Sequence, residues 1–505
     1  MEQKKQKKIK GSAIAYGLVI MTVVLIILTS IMSYIVSQIK FSSNRIEREK
    51  AFQIAEAGIY RYRWYLAHAT DGMDAQQLKA FWQSSSTLGV SGDFETEYND
   101  PETGETIGRY TIHLDPPNVY STIVKITSTG RTDKMPGVVR SVRARFRRPS
   151  WSEYMYIVDD FLNIGSGAHV YGRAHSNFGI HMDGVAHNAM TSHAPTFIDP
   201  DHSNHNPEFG VHTHVGTRDP VAPAYDPLNP WPDGTVPNRP DVFMGGRQFP
   251  VPKVEFNGVS GDFSNMRTEA RSPGGTTLNG CTATGCYFDG TGSGRRIILK
   301  TDGNFDVCTV YRYDNYQNAN DNNATYAIDR YQNPSGTRCN TCSGSCRLTY
   351  AIPQNGIIFV EDNVWVEGTI DNKRVTIAAD NAADTADIYI GINNLRYTNH
   401  DGRDIIGLVA KRNIAIVEAC QTNLVIEGAL LAQTGKRFRN SGEYGTNKSS
   451  LTMNGALASF LQPFVNSGGY GFSTRTYNFD NNLLYFPPPY FPTGTEYSID
   501  LWEEL

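Results

Sequence analysis

The stretch GSAIAYGLVIMTVVLIILTSIMSYIVSQI, residues 11–39, holds no charged side chain and is bracketed by Lys10 and Lys40. As an α-helix rising about 1.5 Å per residue, it exceeds the ~30 Å hydrocarbon core of a bilayer and leaves a polar margin at one end. A secretory signal has an apolar run of only ~7–15 residues followed by a small-residue cleavage site, a pattern this run does not fit. Lys4, Lys5, Lys7, Lys8 and Lys10 precede the run. A basic flank of this kind predicts a cytoplasmic N-terminus, a single pass, and the bulk of the chain outside the cytoplasm.

The helix is expected to continue past the membrane. FSSNRIEREKAFQIAEAGIYRYRWYLA, residues 41–67, contains no proline, and Phe52, Ala55, Ile59 and Tyr62 recur at three- and four-residue steps with Lys50, Gln53 and Arg61 opposite. That spacing makes one face apolar, although Ile46 and Ile54 fall outside the stripe. One helix from Ser12 to about His68 would be roughly 85 Å long. A plain tether has no need of such a rod. Packing against other helices and against a small sheet does.

A short basic leader ending in Gly11, then Ser12, an apolar helix and AFQIAEAGI (51–59) together resemble the N-terminal region of PilX-type minor pilins. The segment Ala55, Glu56, Ala57, Gly58 is the most specific element and stands as the helix-packing motif. The resemblance implies processing between Gly11 and Ser12 by a prepilin peptidase, with other pilin subunits and an inner-membrane assembly machinery as partners. Major pilins carry Glu at the fifth mature position, where its carboxylate can neutralise a neighbour's N-terminal ammonium in lipid. This chain has Tyr16 there, as some minor and tip-located pilins also lack that Glu.

Residues 94–148 contain the strand-like segments FETEY, IGRYTIHL (107–114), TIVKITSTGRT (122–132) and VVRSVRARFRR (138–148), separated by the turn signals NDPETGE, DPPN and DKMPG. They predict a small antiparallel sheet laid on the amphipathic half of the helix. Arg143, Arg145 and Arg147 alternate with Val142, Ala144 and Phe146, and read as the solvated face of an outer strand.

From Trp151 the character changes to short β-rich runs ending in Gly or Asn, such as GIIFVEDNVWVEGTI (356–370) and DIIGLVAKRNIAIVEA (404–419). Asn363 and Asn413 each precede an apolar triplet, and Gly428 and Gly455 are each followed by Ala-Leu. These recurrences predict coils of about 25 residues, as in a parallel β-helix or β-solenoid, with Asn and Gly at the corners. A β-sandwich is the alternative. The fold class is thus α+β then mostly β. The expected layout is a leader (1–11), the transmembrane and amphipathic helix (12–70), a small pilin-type sheet (71–150) and a β-solenoid-like domain (151–460). That domain would carry a loop-rich insertion at about 195–345, and an aromatic- and proline-rich strap (461–505) would close the chain. The layout also resembles large surface proteins that begin with a PilX-type segment, through GRAHSN (172–177), the 356–368 run and the ending with Tyr477, Phe479, Asp480 and Trp502.

The chain has 505 residues, a net charge of -5, 40% hydrophobic and 19% charged residues, 27 Tyr and 46 Gly. That balance favours turn-rich β structure, and no basic block beyond the leader suggests nucleic acid. Nine of the twelve histidines lie between 169 and 214. They include a six-residue spacing from His169 to His193 and the pair His212 and His214. No third ligand stands at a standard spacing, so we expect loop histidines and no metal. Cys281, Cys286, Cys308, Cys339, Cys342 and Cys346 could be read as a zinc knuckle. In a loop-rich tract outside the cytoplasm they are rather expected to form up to three disulfides, with Cys420 a buried free thiol.

Asp159/Asp160, Glu361/Asp362 and Asp401/Asp404 are the acidic pairs a β-helix polysaccharide enzyme would need. Adjacent strand residues point to opposite faces, and no nucleophile or nucleotide motif is present. We nominate no catalytic residue and no cofactor. The expected function is that of a minor pilin or pseudopilin displaying a large extracellular β domain for adhesion or surface interaction. An uncleaved surface-anchored binding protein is the first alternative, and an anchored polysaccharide-active enzyme the second.

Overall fold

The computed structural model describes residues 10–71, 73, 75–117, 123–148, 150–200, 205–254, 256, 260–271, 279–314, 325–439, 446–467, 470–493 and 497–505. Helix α1, Lys10–Ala69, is a single rod of 60 residues, about 90 Å long. In its apolar half the hydroxyls of Thr22, Thr29 and Ser30 donate back to the carbonyls of Leu18, Leu25 and Ile26 at 2.7, 2.9 and 2.8 Å. These polar groups are therefore satisfied within the helix itself, as a hydrocarbon surround demands. The rod ends at Thr70, whose N–H and hydroxyl both reach the Leu66 carbonyl, at 3.0 and 2.8 Å.

A second helix, α2 (Ala75–Gln83), leads into β1 (Phe94–Asn99), β2 (Thr106–Asp115), β3 (Ile123–Thr132) and β4 (Val139–Arg147). The four strands pair antiparallel in chain order, and the strand Ser498–Glu504 adds to the free edge of β4. One face of the sheet buries Tyr110, Ile112, Leu114, Val124, Ile126, Val142, Ala144 and Phe146 against Ile54, Ala55, Ile59, Tyr62 and Leu66 of α1. Ile54 therefore belongs to the buried stripe, contrary to the sequence reading, whereas Phe52 is only half-buried and Ile46 is exposed. Contact is close enough that a Cβ on Gly130 of β3 would lie 2.2 Å from the Ala51 carbonyl oxygen and 2.5 Å from the Ala55 nitrogen.

The arginines of β4 stay partly exposed, but they are paired with carboxylates and β4 is not the outer strand. Arg143 meets Glu503 at 3.1 Å, while Arg145 and Arg147 meet Asp500 at 2.8 and 3.1 Å. Arg140 also pairs with Glu504. The acidic strand that flanks them lies at the far end of the sequence, where neighbour-by-neighbour pattern reading could not connect it to β4.

Beyond Trp151 the chain is mostly β, and most of its pairing is parallel. One ladder runs, strand beside strand, through Cys286–Phe288, Ile357–Val360, Arg374–Ala379, Ile405–Ala410, Asn423–Ala432 and Lys448–Ser459. It continues into Tyr156–Val158, Ala174–Ser176, Met190–Ser192 and Arg247–Gln248. The strand that opens this region, Tyr156–Val158, therefore sits in mid-ladder, between Lys448–Ser459 from near the end of the chain and Ala174–Ser176 from shortly after it. A second ladder joins Arg295–Leu299, Val364–Ile370, Ile388–Tyr397, Ile414–Ile416 and Arg437–Arg439. A third joins Asn423–Ala432, Lys448–Ser459, Tyr470–Phe479, Ala168–Tyr171 and Val185–Ala186. Leu162–Ile164, Ile180–Met182 and Val211–His212 form a separate three-stranded parallel sheet.

Side chains repeat the register. The Asn363 Oδ1 accepts the Asp387 N–H at 2.9 Å, Asp387 Oδ1 accepts the Asn413 N–H at 3.0 Å, and Asn413 Oδ1 accepts the Lys436 N–H at 3.0 Å. Gly428 and Gly455 are direct ladder partners, and a Cβ on Gly455 would lie 1.9 Å from the Gly428 carbonyl oxygen. Inward-facing Val360, Ile377, Leu408, Leu430 and Leu457 belong to one large buried cluster.

Two expectations about this region need correction. The tract at about 195–345 is not all excursion: it contains the helix Ser260–Ala270 and the paired strands Cys286–Phe288, Arg295–Leu299 and Asn304–Tyr313. Its Gly, Asn and Pro content hid short apolar segments that a ladder neighbour stabilises. The segment 461–505 is likewise only partly a strap. Tyr470–Phe479 is a ladder strand and Ser498–Glu504 belongs to the small sheet. Between them, Leu483 and Phe491 pack into a buried cluster with Trp151 and Phe359.

Candidate functional site

The apolar half of α1 is exposed along its length, from Ile14 through Leu25 to Phe41, and is long and apolar enough to cross a membrane. Gly11 and Ser12 lie in the first helical turn. Lys4, Lys5, Lys7 and Lys8 of the leader lie outside the described residues. Tyr16 is exposed on this apolar rod.

Of the four motif residues, Ala55 and Gly58 are buried and Glu56 and Ala57 half-buried. A Cβ on Gly58 would lie 2.3 Å from the Ser128 Oγ and 2.9 Å from a Tyr110 ring carbon. The small residues thus let the helix lie close on its own sheet. Just before them, Phe41, Arg45, Arg48, Glu49, Val138 and Glu504 line a groove of about 680 Å³ between the rod and the sheet edge.

This rod carries a segment that matches a known family model. Residues 10–59 match the family model described as PilX N-terminal. The N-terminal helix is of PilX type. No curated protein matches the chain. Among solved structures it is similar to the crystal structure of the competence-associated pilin ComZ from Thermus thermophilus, at 13% identity and a TM-score of 0.30, covering 91% of this chain and 97% of that one. The PilX-type match ends at the Ala-Glu-Ala-Gly motif and its following Ile59, so the β-rich region lies entirely beyond it.

In that region the structure brings together a group that sequence spacing did not assemble. His181 lies on the strand Ile180–Met182 and His212 on Val211–His212, in direct parallel register. His214 follows two residues on, and Asp199 follows the strand Thr196–Ile198. One donor atom from each of these four residues lies within 4.8 Å of all the others. Asp199 Oδ2 is 2.9 Å from His181 Nδ1 and 3.2 Å from His212 Nε2. The other ring nitrogen of His181 lies 3.1 Å from Asp183, whose second carboxylate oxygen accepts the His214 N–H at 2.9 Å. Burial works against charging the His181 ring, but Asp183 and Asp199 outweigh it and raise its pKa to about 9. Asp183 is held down at about 2: burial would raise it, but the hydrogen bonds from His181 and the His214 N–H prevail.

Sequence reading had the His212-x-His214 pair and the histidine-rich segment but not Asp199, and so expected no metal. The missing signal was ladder register, which puts His181 beside His212. The other histidines go elsewhere. His169 and His187 stack with centroids 5.6 Å apart, beside Tyr171, and His175 bonds Thr191 and Asn177, each at 3.0 Å.

The six cysteines form Cys281–Cys286, Cys308–Cys342 and Cys339–Cys346, and Cys420 is free and buried. The zinc-knuckle reading is thereby set aside. The acidic pairs are engaged locally. Glu361 accepts from Arg267 and Tyr287, both at 2.8 Å, Asp159 from Asn177, and Asp404 from the backbone of Lys373 and Asn399. A cavity of about 520 Å³ is lined by Tyr156, Arg437, Arg475 and Tyr477, with no carboxylate among the described residues on its wall.

Proposed function

We propose that this chain is a minor pilin or pseudopilin of a type IV pilus-like system, acting through assembly rather than catalysis. The observation that carries the reading is the PilX-type match over residues 10–59, on a helix apolar and exposed in its first half and packed on a sheet in its second. An exposed apolar rod needs lipid or other helices around it, and a pilin shaft finds one before assembly and the other after it. In this reading the partners are other pilin subunits and the inner-membrane assembly machinery, and a prepilin peptidase cuts between Gly11 and Ser12.

The bulk then lies outside the cytoplasm. Three disulfides in the β-rich region support that side of the membrane, because such bonds persist in oxidising compartments. We read the parallel ladders as the faces of a β-solenoid, supported by their coil-to-coil register and by the Asn363–Asp387–Asn413 chain of side-chain bonds. Such an appendage on every subunit would crowd a helical filament, so the subunit is sparse and presents its solenoid at a tip or surface for adhesion.

Tyr16 favours one second reading, an uncleaved surface-anchored binding protein, since the Glu that pairs with a cleaved N-terminus is absent. Mass spectrometry of the N-terminal peptide from the membrane-extracted protein separates the two. Mature protein beginning at Ser12 supports the pilin reading. Retention of the lysine-rich leader in cells with an active prepilin peptidase sinks it.

A further inference from the structure

We propose that His181, His212, His214 and Asp199 bind one transition-metal dication, zinc by the chemistry of the donors, and that this ion clips Asp199, at the end of the strand Thr196–Ile198, to the parallel sheet that carries His181 and His212. Three imidazoles and one carboxylate complete a tetrahedral zinc shell, whose bonds of about 2.0–2.2 Å place neighbouring donors about 3.3 Å apart. The 2.9 and 3.2 Å separations between Asp199 and its two histidines are close to that spacing, and the whole set lies within 4.8 Å. Small side-chain adjustments bring it around one ion.

The surroundings are arranged as a metal site's are. His181 turns Nδ1 toward the cluster and its other nitrogen toward Asp183, 3.1 Å away. A carboxylate in that position fixes the ring's tautomer and orientation, as outer partners of metal-bound histidines do. The same carboxylate holds the His214 N–H at 2.9 Å, so one side chain aligns two of the proposed ligands. Asp199 and His212 are fully buried, His181 nearly so, and His214 half-buried.

The role follows from the ligand count. Four protein donors leave no open position for substrate, which marks a structural rather than a catalytic ion. The ligands come from three separate stretches, around 181, 199 and 212–214, in a part of the chain built of two- and three-residue strands. Strands so short bury little apolar surface, and a coordinated ion supplies the cross-link they lack.

The test uses the full chain purified in detergent, stripped with a chelator, dialysed against zinc and measured by elemental mass spectrometry. Wild type is expected to retain roughly one zinc per chain and to melt at a higher temperature reloaded than stripped. Cobalt loading should produce the intense visible bands of a tetrahedral site. His212→Gln and His214→Gln should lose the ion, whereas Asp183→Asn should keep the stoichiometry with affinity lowered ~10–100-fold. Wild type without stoichiometric zinc and without the cobalt bands would overturn the proposal, leaving a hydrogen-bonded His–Asp network only. So would His212→Gln and His214→Gln proteins that bind as wild type does.

Discussion

Arg145 and Asp500 meet at 2.8 Å although 355 positions separate them in the chain. Asp500 also takes Arg147 at 3.1 Å, and both arginines are mostly buried beside the paired strand Ser498–Glu504. One carboxylate therefore serves two guanidinium groups at the seam between β4 and the last strand. Asp500→Ala would leave both cations without that acceptor. It is expected to destabilise the small sheet by about 1–2 kcal/mol, read as a lower midpoint in chemical denaturation of the detergent-solubilised protein. An unchanged midpoint would count against the seam as a stabilising element.

The approach of α1 to β3 makes a second expectation. Gly130 has no room for a side chain against Ala51 and Ala55. Gly130→Val should lift the helix from the sheet and cost about 1–3 kcal/mol or more by overpacking. Limited proteolysis checks this: new cleavage within residues 41–69 is expected in the variant and absent in the wild type.

Disulfides of different span should differ in worth. Cys308–Cys342 closes 34 positions, against 5 for Cys281–Cys286 and 7 for Cys339–Cys346. Under the chain-entropy account, replacing the long bridge by a pair of serines costs about 3–4 kcal/mol, more than replacing either short one. Melting curves of the three double-serine variants rank them directly, and a short bridge outranking the long one would contradict the ordering.

His113, on the outer face of β2, has Asp93 Oδ1 at 2.7 Å and Asp115 at 3.6 Å. The hydrogen bond that its ring donates to Asp93 is the main cause that raises its pKa above the ordinary 6.5. The charged ring is favoured in the folded state, so its contribution is fully present below about pH 6.5 and is lost as pH rises through the higher folded value. Asp93→Asn should move the His113 titration midpoint down, as followed by NMR of histidine-labelled protein.

Legibility from sequence followed distance along the chain. The uncharged run 11–39, the alternation in β2 to β4 and the cysteine count are local, and each pointed to an element the structure contains: the rod, the strands and the disulfides. Ile54 was misplaced because an amphipathic helix lying on a sheet buries a broader face than a single stripe suggests. Asp199 was invisible because its partners are set by ladder register, and Ser498–Glu504 because its partner strand lies at the other end of the domain order. The strands at 286–313 were concealed because the tract around them is dense in Gly, Asn and Pro, and their short apolar segments hold only when stacked.

The seam has a mechanical consequence. β4 leads into the large β region and Ser498–Glu504 returns from it, and the two lie side by side, antiparallel, in one sheet. Everything between them hangs from two adjacent attachment points instead of one. A pull on the β-rich region is thus shared by both connections and enters the sheet where four carboxylate–guanidinium contacts, from Arg140, Arg143, Arg145 and Arg147, cross the same junction. A force on the β-rich region would reach helix α1 through a doubled suspension, not through a single linker free to swivel.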